Sequence, residues 1–269
     1  MKYLTLNNGI QMPLLGLGTW DLRGKECINT VCIAIENGYR LIDTAQMYDN
    51  EKEVGKGIIK SGILRDELFI TTKIYGKSNS YQKVKKAIEE SLKNLQTDYI
   101  DLLLLHEPYQ QEEEMYHALE EAYHNGKVKA IGVSNYDEKR LIKFIKQCHI
   151  IPAVNQVECH IYYQKYQFQK SLEKQDIKMQ AWAPLAQAKE NIDQEPILLE
   201  IAKKYNKTAA QVALRFLVQR GISIVPKSRR KEKLLENIDI FDFELTNEEM
   251  KQIQKLDRND TLFQWTKNF

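Results

Sequence analysis

Four side chains suited to proton transfer sit at or just beyond the ends of apolar runs. Asp43 follows Leu41-Ile42, Tyr48 lies in the polar turn after it, Lys73 ends LFITTK, and His106 ends IDLLLLH. Singly, each has an ordinary explanation. Asp43 would cap a turn, Lys73 would sit in solvent, His106 would make a structural hydrogen bond, and Tyr48 is one of 14 tyrosines. Jointly, a carboxylate, a phenol, an ammonium and an imidazole close three successive runs. The chemistry they suit is protonation of a carbonyl oxygen while hydride reaches its carbon. A free tyrosine, with a pKa of about 10, is a poor acid near neutrality. A neighbouring ammonium favours the phenolate and lowers that pKa. Lys73 is expected to act this way while Asp43 holds it in place. His106 is expected to hydrogen-bond the carbonyl oxygen, orienting it and stabilising developing negative charge. None of the four supplies hydride, so the constellation calls for a nicotinamide.

Short apolar runs recur eight times, at Leu14–Leu17, Leu41–Ile42, Leu68–Thr72, Ile100–Leu105, Val128–Val133, Ala153–Val157, Lys178–Trp182 and Ile222–Val225. Helical periodicity fills several of the gaps. Lys83–Leu95 places Val84, Ile88, Leu92 and Leu95 on one face, and Asp137–Cys148 does the same with Leu141, Phe144, Ile145 and Cys148. Thr208 with Gln211, and Thr246 with Glu249, have capping-box spacing. Before the first run, Lys2–Leu6 and Ile10–Pro13 flank Asn7-Asn8-Gly9, a hairpin signal. Short apolar strands alternating with helices predict a parallel sheet buried on both faces, and eight of them predict an α/β fold, a (β/α)₈ TIM barrel with an N-terminal β-hairpin. A doubly wound sheet is disfavoured because the pattern begun at Gly16 and Gly18 lacks its third glycine. In such barrels chemistry gathers at the C-terminal ends of the strands. Asp43, Tyr48, Lys73 and His106 are thereby expected on one rim, with Ser134, Asn135, Gln156 and Trp182 beside them.

A chain of 269 residues, 43% hydrophobic and 28% charged, suffices for one large domain, expected to span residues 1–269. A formal charge of +2 carries no basic excess of the kind that binds nucleic acid. Cys27, Cys32, Cys148 and Cys159 form no C-x-x-C pair and read as reduced thiols of a cytoplasmic protein. The first residues lack the apolar stretch of a secretory signal, and the longest strongly apolar run, Ile100–Leu105, is too short for a bilayer. No membrane partner is expected. VPKSRRKEKLLEN, after the eighth run, reads either as a basic patch or as a phosphate site near the last barrel strands and a helix N-terminus, the second being favoured.

GIQMPLLGLGTW, LIDTAQMYDNEKEVGKGI, FITTK, YIDLLLLHEP, GKVKAIGVSNY, VNQVECH, WAPLA and IVPKSRRKEKLLENIDIFDFEL occur in that order along nearly the whole chain. With these segments the chain resembles the aldo-keto reductases, above all the short microbial branch of 2,5-diketo-gluconate and glyoxal or methylglyoxal reductases. The resemblance implies NADPH-dependent reduction of aldehydes and ketones, with Asp43, Tyr48, Lys73 and His106 as the catalytic set and Tyr48 as acid. It places cofactor contacts on Gly18, Thr19, Trp20, Asp43, Ser134, Asn135, Gln156, Trp182, Pro184 and Leu185. It places the adenosine 2′-phosphate on Lys227 and Ser228, with Lys233 at the position of a further cation and Arg229 or Arg230 available to compensate, and adenine on Glu236 and Asn237. Trp182 stands where many relatives carry tyrosine, and it keeps a flat π-face for the nicotinamide. A monomer without a metal is also implied.

The substrate pocket is expected at Trp20, Tyr48, His106 and Glu107, with Tyr109, Phe263 and Trp265 adding to its wall. Four departures from the resemblance bear on function. Lys233 replaces an arginine, which keeps the charge but loses the planar fork, so the margin of NADPH over NADH should narrow. Glu107 replaces a tryptophan, and Gln46 and Met47 replace smaller residues. A carboxylate here would repel anionic substrates, favouring small neutral carbonyls or dicarbonyls such as methylglyoxal over keto acids. The same barrel also serves cofactor-binding regulatory or structural proteins with little turnover. A barrel hydrolase would need a second acid, and none is evident on this rim.

Overall fold

The computed structural model describes residues 2–268. It opens with a hairpin of β1 (Tyr3–Thr5) and β2 (Gln11–Pro13), paired antiparallel with Leu4 opposite Met12. Gly9 carries the turn at φ +86°, a backbone that an L side chain resists. There follow β3 (Leu17–Gly18), α1 (Gly24–Glu36), β4 (Leu41–Asp43), α2 (Glu51–Ser61), β5 (Phe69–Ile74), α3 (Tyr81–Leu95), β6 (Leu102–Leu105) and α4 (Glu112–His124). The second half comprises β7 (Ile131–Ser134), α5 (Glu138–Phe144), β8 (Val154–Glu158), α6 (Tyr166–Lys174), β9 (Lys178–Trp182), α7 (Pro196–Tyr205), α8 (Ala209–Gln219), β10 (Ser223–Ile224), α9 (Lys231–Ile238) and α10 (Asn247–Gln254).

Strands β3 to β10 form one parallel sheet, each bonded to the next in chain order. Leu15 pairs with Ile224, and the N–H groups of Gly16 and Gly18 donate to Ile224 O and Pro226 O at 2.9 and 3.1 Å. The first strand thus meets the last, and the sheet closes as the eight-fold alternation predicts. Gly18 permits that approach, because a Cβ there would lie 2.6 Å from the Val225 carbonyl oxygen. Beneath the barrel, Leu6 and Met12 of the hairpin join an inner layer containing Leu41, Phe69, Leu102, Leu104, Ala130 and Val154. Asn8 ties the hairpin down by donating to Lys129 O at 2.9 Å. Apolar packing therefore plugs the N-terminal end and leaves the other for chemistry.

Several elements differ in length from expectation. Ile100 and Val128 make only an isolated bridge, so β6 and β7 begin later than their apolar runs. At that end side chains add to the backbone bonds of the bridge: Asn8 holds Lys129 O and Arg65 holds Tyr99 O at 2.8 Å. Helix α3 starts two residues early because Ser80 caps it by accepting from Lys83 N–H, and its four expected apolar positions are all buried. The segment after Asp137 splits into α5 and a 3₁₀ turn at Ile145–Gln147, and Cys148 turns extended to lead toward β8. Both capping boxes form, at Thr208 and Thr246. Among the described residues no helix is long and apolar enough to cross a membrane.

Candidate active site

Lys73, on β5, is fully buried, and its ammonium has three N–H donors to satisfy. They go to Asp43 Oδ1 at 2.6 Å, Thr44 O at 3.0 Å and Tyr48 Oη at 3.1 Å. The last bond makes the phenolic oxygen an acceptor from Lys73, so its own hydrogen is left to point elsewhere. Asp43 Oδ2 accepts from Gln156 Nε2 at 2.6 Å, and the same amide donates to Gln180 Oε1 at 2.6 Å. Gln180 in turn donates to Ser223 Oγ at 3.2 Å, which donates to Pro13 O at 3.0 Å. Strand register aligns Gln156 with Gln180 and Gln180 with Ser223, so this polar chain crosses the barrel interior in one layer. The layer orients the amide of Gln156: reversed, its oxygen would face the Asp43 carboxylate.

Tyr48 ends a 3₁₀ turn, Gln46–Tyr48, whose surroundings are also fixed. Gln46 donates to Ala87 O and Ser91 Oγ at 3.0 Å each and accepts from Tyr75 N–H at 3.2 Å. Arg23 donates to the Tyr48 carbonyl oxygen. The Tyr48 ring packs edge-on between Trp20, at 5.0 Å between centroids, and His106, at 5.5 Å. His106 is buried, and its Nδ1 has no protein partner.

Burial sets the protonation of these groups, with charge as the second influence. Desolvation pushes the Tyr48 phenol above its ordinary value, and Lys73 offsets only part of this. The expected lowering is therefore not met: here the phenol holds its proton more tightly than in water, because burial leaves little solvent to stabilise a phenolate. Burial also disfavours the Lys73 ammonium, but Asp43, Tyr48 and their hydrogen bonds outweigh it and its pKa is raised. His106 is driven well below its ordinary value by burial and by the Lys73 charge, which leaves a neutral imidazole. The floor of the site thus offers a protonated phenol and a neutral ring that donates from one nitrogen only.

A groove of about 1150 Å³ runs from these residues across the mouth of the barrel. Its near part is lined by Trp20, Asp43, Met47, Tyr48, His106 and Glu107, with Trp182, Phe263 and Trp265 alongside. Ser134, Asn135 and Gln156 lie at its base, and these three bond one another's elements. Ser134 Oγ donates to Gln156 O at 2.9 Å, while Asn135 donates to His106 O at 3.1 Å and accepts from the Trp182 indole at 2.8 Å. With both Gln156 N–H groups engaged, its carbonyl oxygen is what remains for a ligand. Gly18 lies beside Asp43, Pro184 and Leu185 form a side wall, and Lys227, Ser228, Arg230, Lys233 and Asn237 line the far end, close to the N-terminus of α9. An elongated groove with an aromatic and amide floor at one end and cations beside a helix N-terminus at the other fits a dinucleotide phosphate.

Four expected contacts fall outside the groove lining. Thr19 is buried and donates to Asp43 O at 2.9 Å, and Lys73 lies behind Asp43 and Tyr48. Arg229 turns outward to Asp21 at 2.6 Å and Glu26 at 3.4 Å, which leaves Arg230 as the arginine beside Lys233. Glu236 is held by Lys233 at 2.7 Å and by Thr208 at 2.8 Å. Tyr109 is not in the pocket wall either: its ring fills the space beside Gly76, where a Cβ would come within 2.6 Å of it. Gln46 likewise braces the turn to α3 rather than facing a ligand. The sequence reading overlooked Gln180 and Ser223. Their signal was present, since Gln180 is polar between Met179 and Ala181 in a strand buried on both faces.

The Aldo/keto reductase family model matches residues 14–258. A glyoxal reductase of Bacillus subtilis (strain 168) is 43% identical over 257 residues, 95% of this chain and 92% of the relative. A methylglyoxal reductase of Escherichia coli (strain K12) is 36% identical, covering 96% and 94%. A Bombyx mori aldo-keto reductase solved in complex with NADP superposes with a TM-score of 0.92 at 31% identity, over 97% of this chain and 94% of that one. Family, barrel and groove agree: the chain belongs to the aldo/keto reductases and is an NADPH-dependent oxidoreductase that reduces carbonyl groups.

Proposed function

We propose that this enzyme reduces small neutral aldehydes and dicarbonyls of the methylglyoxal type, with Tyr48 as the proton donor. The observation that carries the reading is the placement of the phenol. Its oxygen accepts from a lysine whose other two donors are committed, at 2.6 Å to Asp43 and 3.0 Å to Thr44, and its ring abuts His106 at the floor of the groove. Bound along the groove, reduced nicotinamide supplies the hydride. His106, held neutral, donates a hydrogen bond to the carbonyl oxygen and fixes it near Tyr48 Oη. As negative charge grows on that oxygen, Tyr48 gives up its proton, and the Lys73 ammonium at 3.1 Å stabilises the phenolate left behind. Asp43 keeps the ammonium aimed at the phenol.

Gln156 Oε1, Ser134 and Asn135 are proposed to seat the nicotinamide carboxamide, with Trp182 stacked on the ring. Lys227, Ser228, Arg230 and Lys233 are proposed to hold the 2′-phosphate. Glu107 supports the choice of neutral substrates: it is half-buried in the near wall, where a carboxylate opposes a second negative charge. The names of two relatives, glyoxal and methylglyoxal reductases, point to the same substrate class.

Loss of reduced-cofactor absorbance with methylglyoxal tests this directly. Tyr48→Phe should reduce turnover by about 10²–10⁴-fold while NADPH still quenches tryptophan fluorescence with wild-type affinity. Persistent turnover in Tyr48→Phe would remove the phenol from its role. NADPH binding without turnover in the wild type would instead favour a regulatory or structural protein.

A further inference from the structure

Away from the groove, on the outer layer of the barrel, three metal-ligating side chains converge. His117 and Glu120 lie three residues apart on α4 and so share a face. His149 follows α5, in the connection to β8. One donor atom from each lies within 4.8 Å of the others. The two imidazole rings are 5.3 Å apart, tilted by 44°.

The hydrogen bonding of the three leaves a defined gap. Glu120 is buried, and its Oε1 accepts the backbone N–H groups of His149 and Ile150 at 2.7 and 2.9 Å. Its Oε2 lies 3.1 Å from His149 Nδ1. His117 Nε2 is buried and has no hydrogen-bond partner. A dry imidazole nitrogen without a partner is costly in a folded chain and calls for an occupant. The His149 side chain is 77% exposed, which leaves a way in from solvent.

We propose that His117, Glu120 and His149 form a binding site for a divalent transition-metal ion of the zinc type. Two imidazoles and one carboxylate suit Zn²⁺ and its neighbours and disfavour Ca²⁺ and Mg²⁺, which take oxygen ligands. Three protein ligands leave the fourth position to water on the exposed side. Glu120 supplies the negative charge among the three, which favours a cation, while Glu112 on the same helix is paired with Arg140 at 2.9 Å. The neighbouring Cys148 is not among the converging donors, and its thiol donates to Phe144 O at 3.3 Å. An ion here would clamp α4 to the segment that feeds β8, the strand carrying Gln156. None of the three ligands lines the groove, so the site adds a brace and no step to the reduction.

Titration of the metal-free protein with Co²⁺, followed by its visible absorption, tests the assignment. One equivalent is expected to bind, to be displaced by Zn²⁺, and to raise the melting temperature. His149→Ala, at an exposed position, and His117→Ala should each weaken binding by about 100-fold, since even residues that merely support metal ligands cost 10–100-fold. Cys148→Ser should bind as wild type does. Absence of saturable binding, wild-type affinity in either histidine variant, or displacement of Co²⁺ by Mg²⁺ would overturn the proposal.

Discussion

Replacing Lys73 by methionine tests the reading of the site through folding as well as catalysis. The side chains of Lys73 and Asp43 are 0% and 3% exposed and meet at 2.6 Å. Methionine keeps the volume and removes the charge, which strands a carboxylate in the barrel. Breaking a buried pair from one side costs about 3–5 kcal/mol. Gln156 still donates to Asp43 at 2.6 Å, which places the expected loss near the lower figure. At roughly 2 °C per kcal/mol for a chain of this size, the melting temperature should fall by about 6 °C at neutral pH. The deficit should shrink in acid, where protonation removes the stranded charge. Adding Asp43→Asn should restore most of the stability, because a neutral pair carries no desolvation penalty, yet turnover should stay at least about 10²-fold down. Differential scanning calorimetry of the two single variants and the double variant provides the cycle. A single-variant melting temperature within about 2 °C of wild type would refute the claim that this charge pair is sealed from solvent.

His106, held well below its ordinary pKa by burial and by Lys73, takes up a proton less readily than it does in the unfolded chain. Its contribution to stability is complete above about pH 6.5 and is lost as pH falls below that value. His106→Asn should flatten that part of the stability profile, and a ring resonance titrating between about pH 6 and 8 in the wild type would contradict the assignment. Burial raises the Glu107 pKa, so its charge disappears earlier than usual on acidification. A like charge about 8 Å from Glu107 at an effective dielectric of 20–40 costs about 1–2 kcal/mol. Glu107→Gln should accordingly raise kcat/KM for carboxylated aldehydes about five- to thirtyfold relative to methylglyoxal, and an unchanged ratio would sink the idea. Lys233→Arg should widen the NADPH-over-NADH ratio of kcat/KM about two- to tenfold by restoring a planar fork, provided that Lys233 faces the 2′-phosphate.

Much of the site was legible because barrel chemistry is tied to strand ends, and a strand end can be read from where an apolar run stops. Asp43, Lys73 and His106 were placed that way, and Tyr48 by its distance from Asp43. What stayed hidden was the choice of partner. Five cations in VPKSRRKEK look interchangeable as text, but Arg229 turns toward Asp21 and Glu26, more than two hundred residues earlier, while Arg230 lines the groove. Gln46 looked like pocket lining because it neighbours Tyr48, yet its amide is committed to α3 and Tyr75. The direction of the Tyr48 shift was misjudged for a related reason. Adjacency to an ammonium is visible in a strand pattern, but the extent to which solvent is excluded depends on everything packed around the phenol.

The raised Tyr48 pKa is compatible with the acid role proposed for it, because the same burial that makes a phenolate costly in the resting site keeps the proton in place until it is needed. The phenol must release that proton only when an oxygen beside it becomes strongly basic, and the bond from Lys73 is already made before that moment. Asp43 joins this end of the site to the cofactor's end. One carboxylate oxygen holds the ammonium that serves the phenol, and the other holds the amide whose carbonyl faces the groove. The proposed seating of the nicotinamide on Gln156 and the proposed alignment of the proton donor would therefore both be set by a single buried group. The fully bonded layer of Gln156, Gln180 and Ser223 beneath it is what keeps that group from shifting.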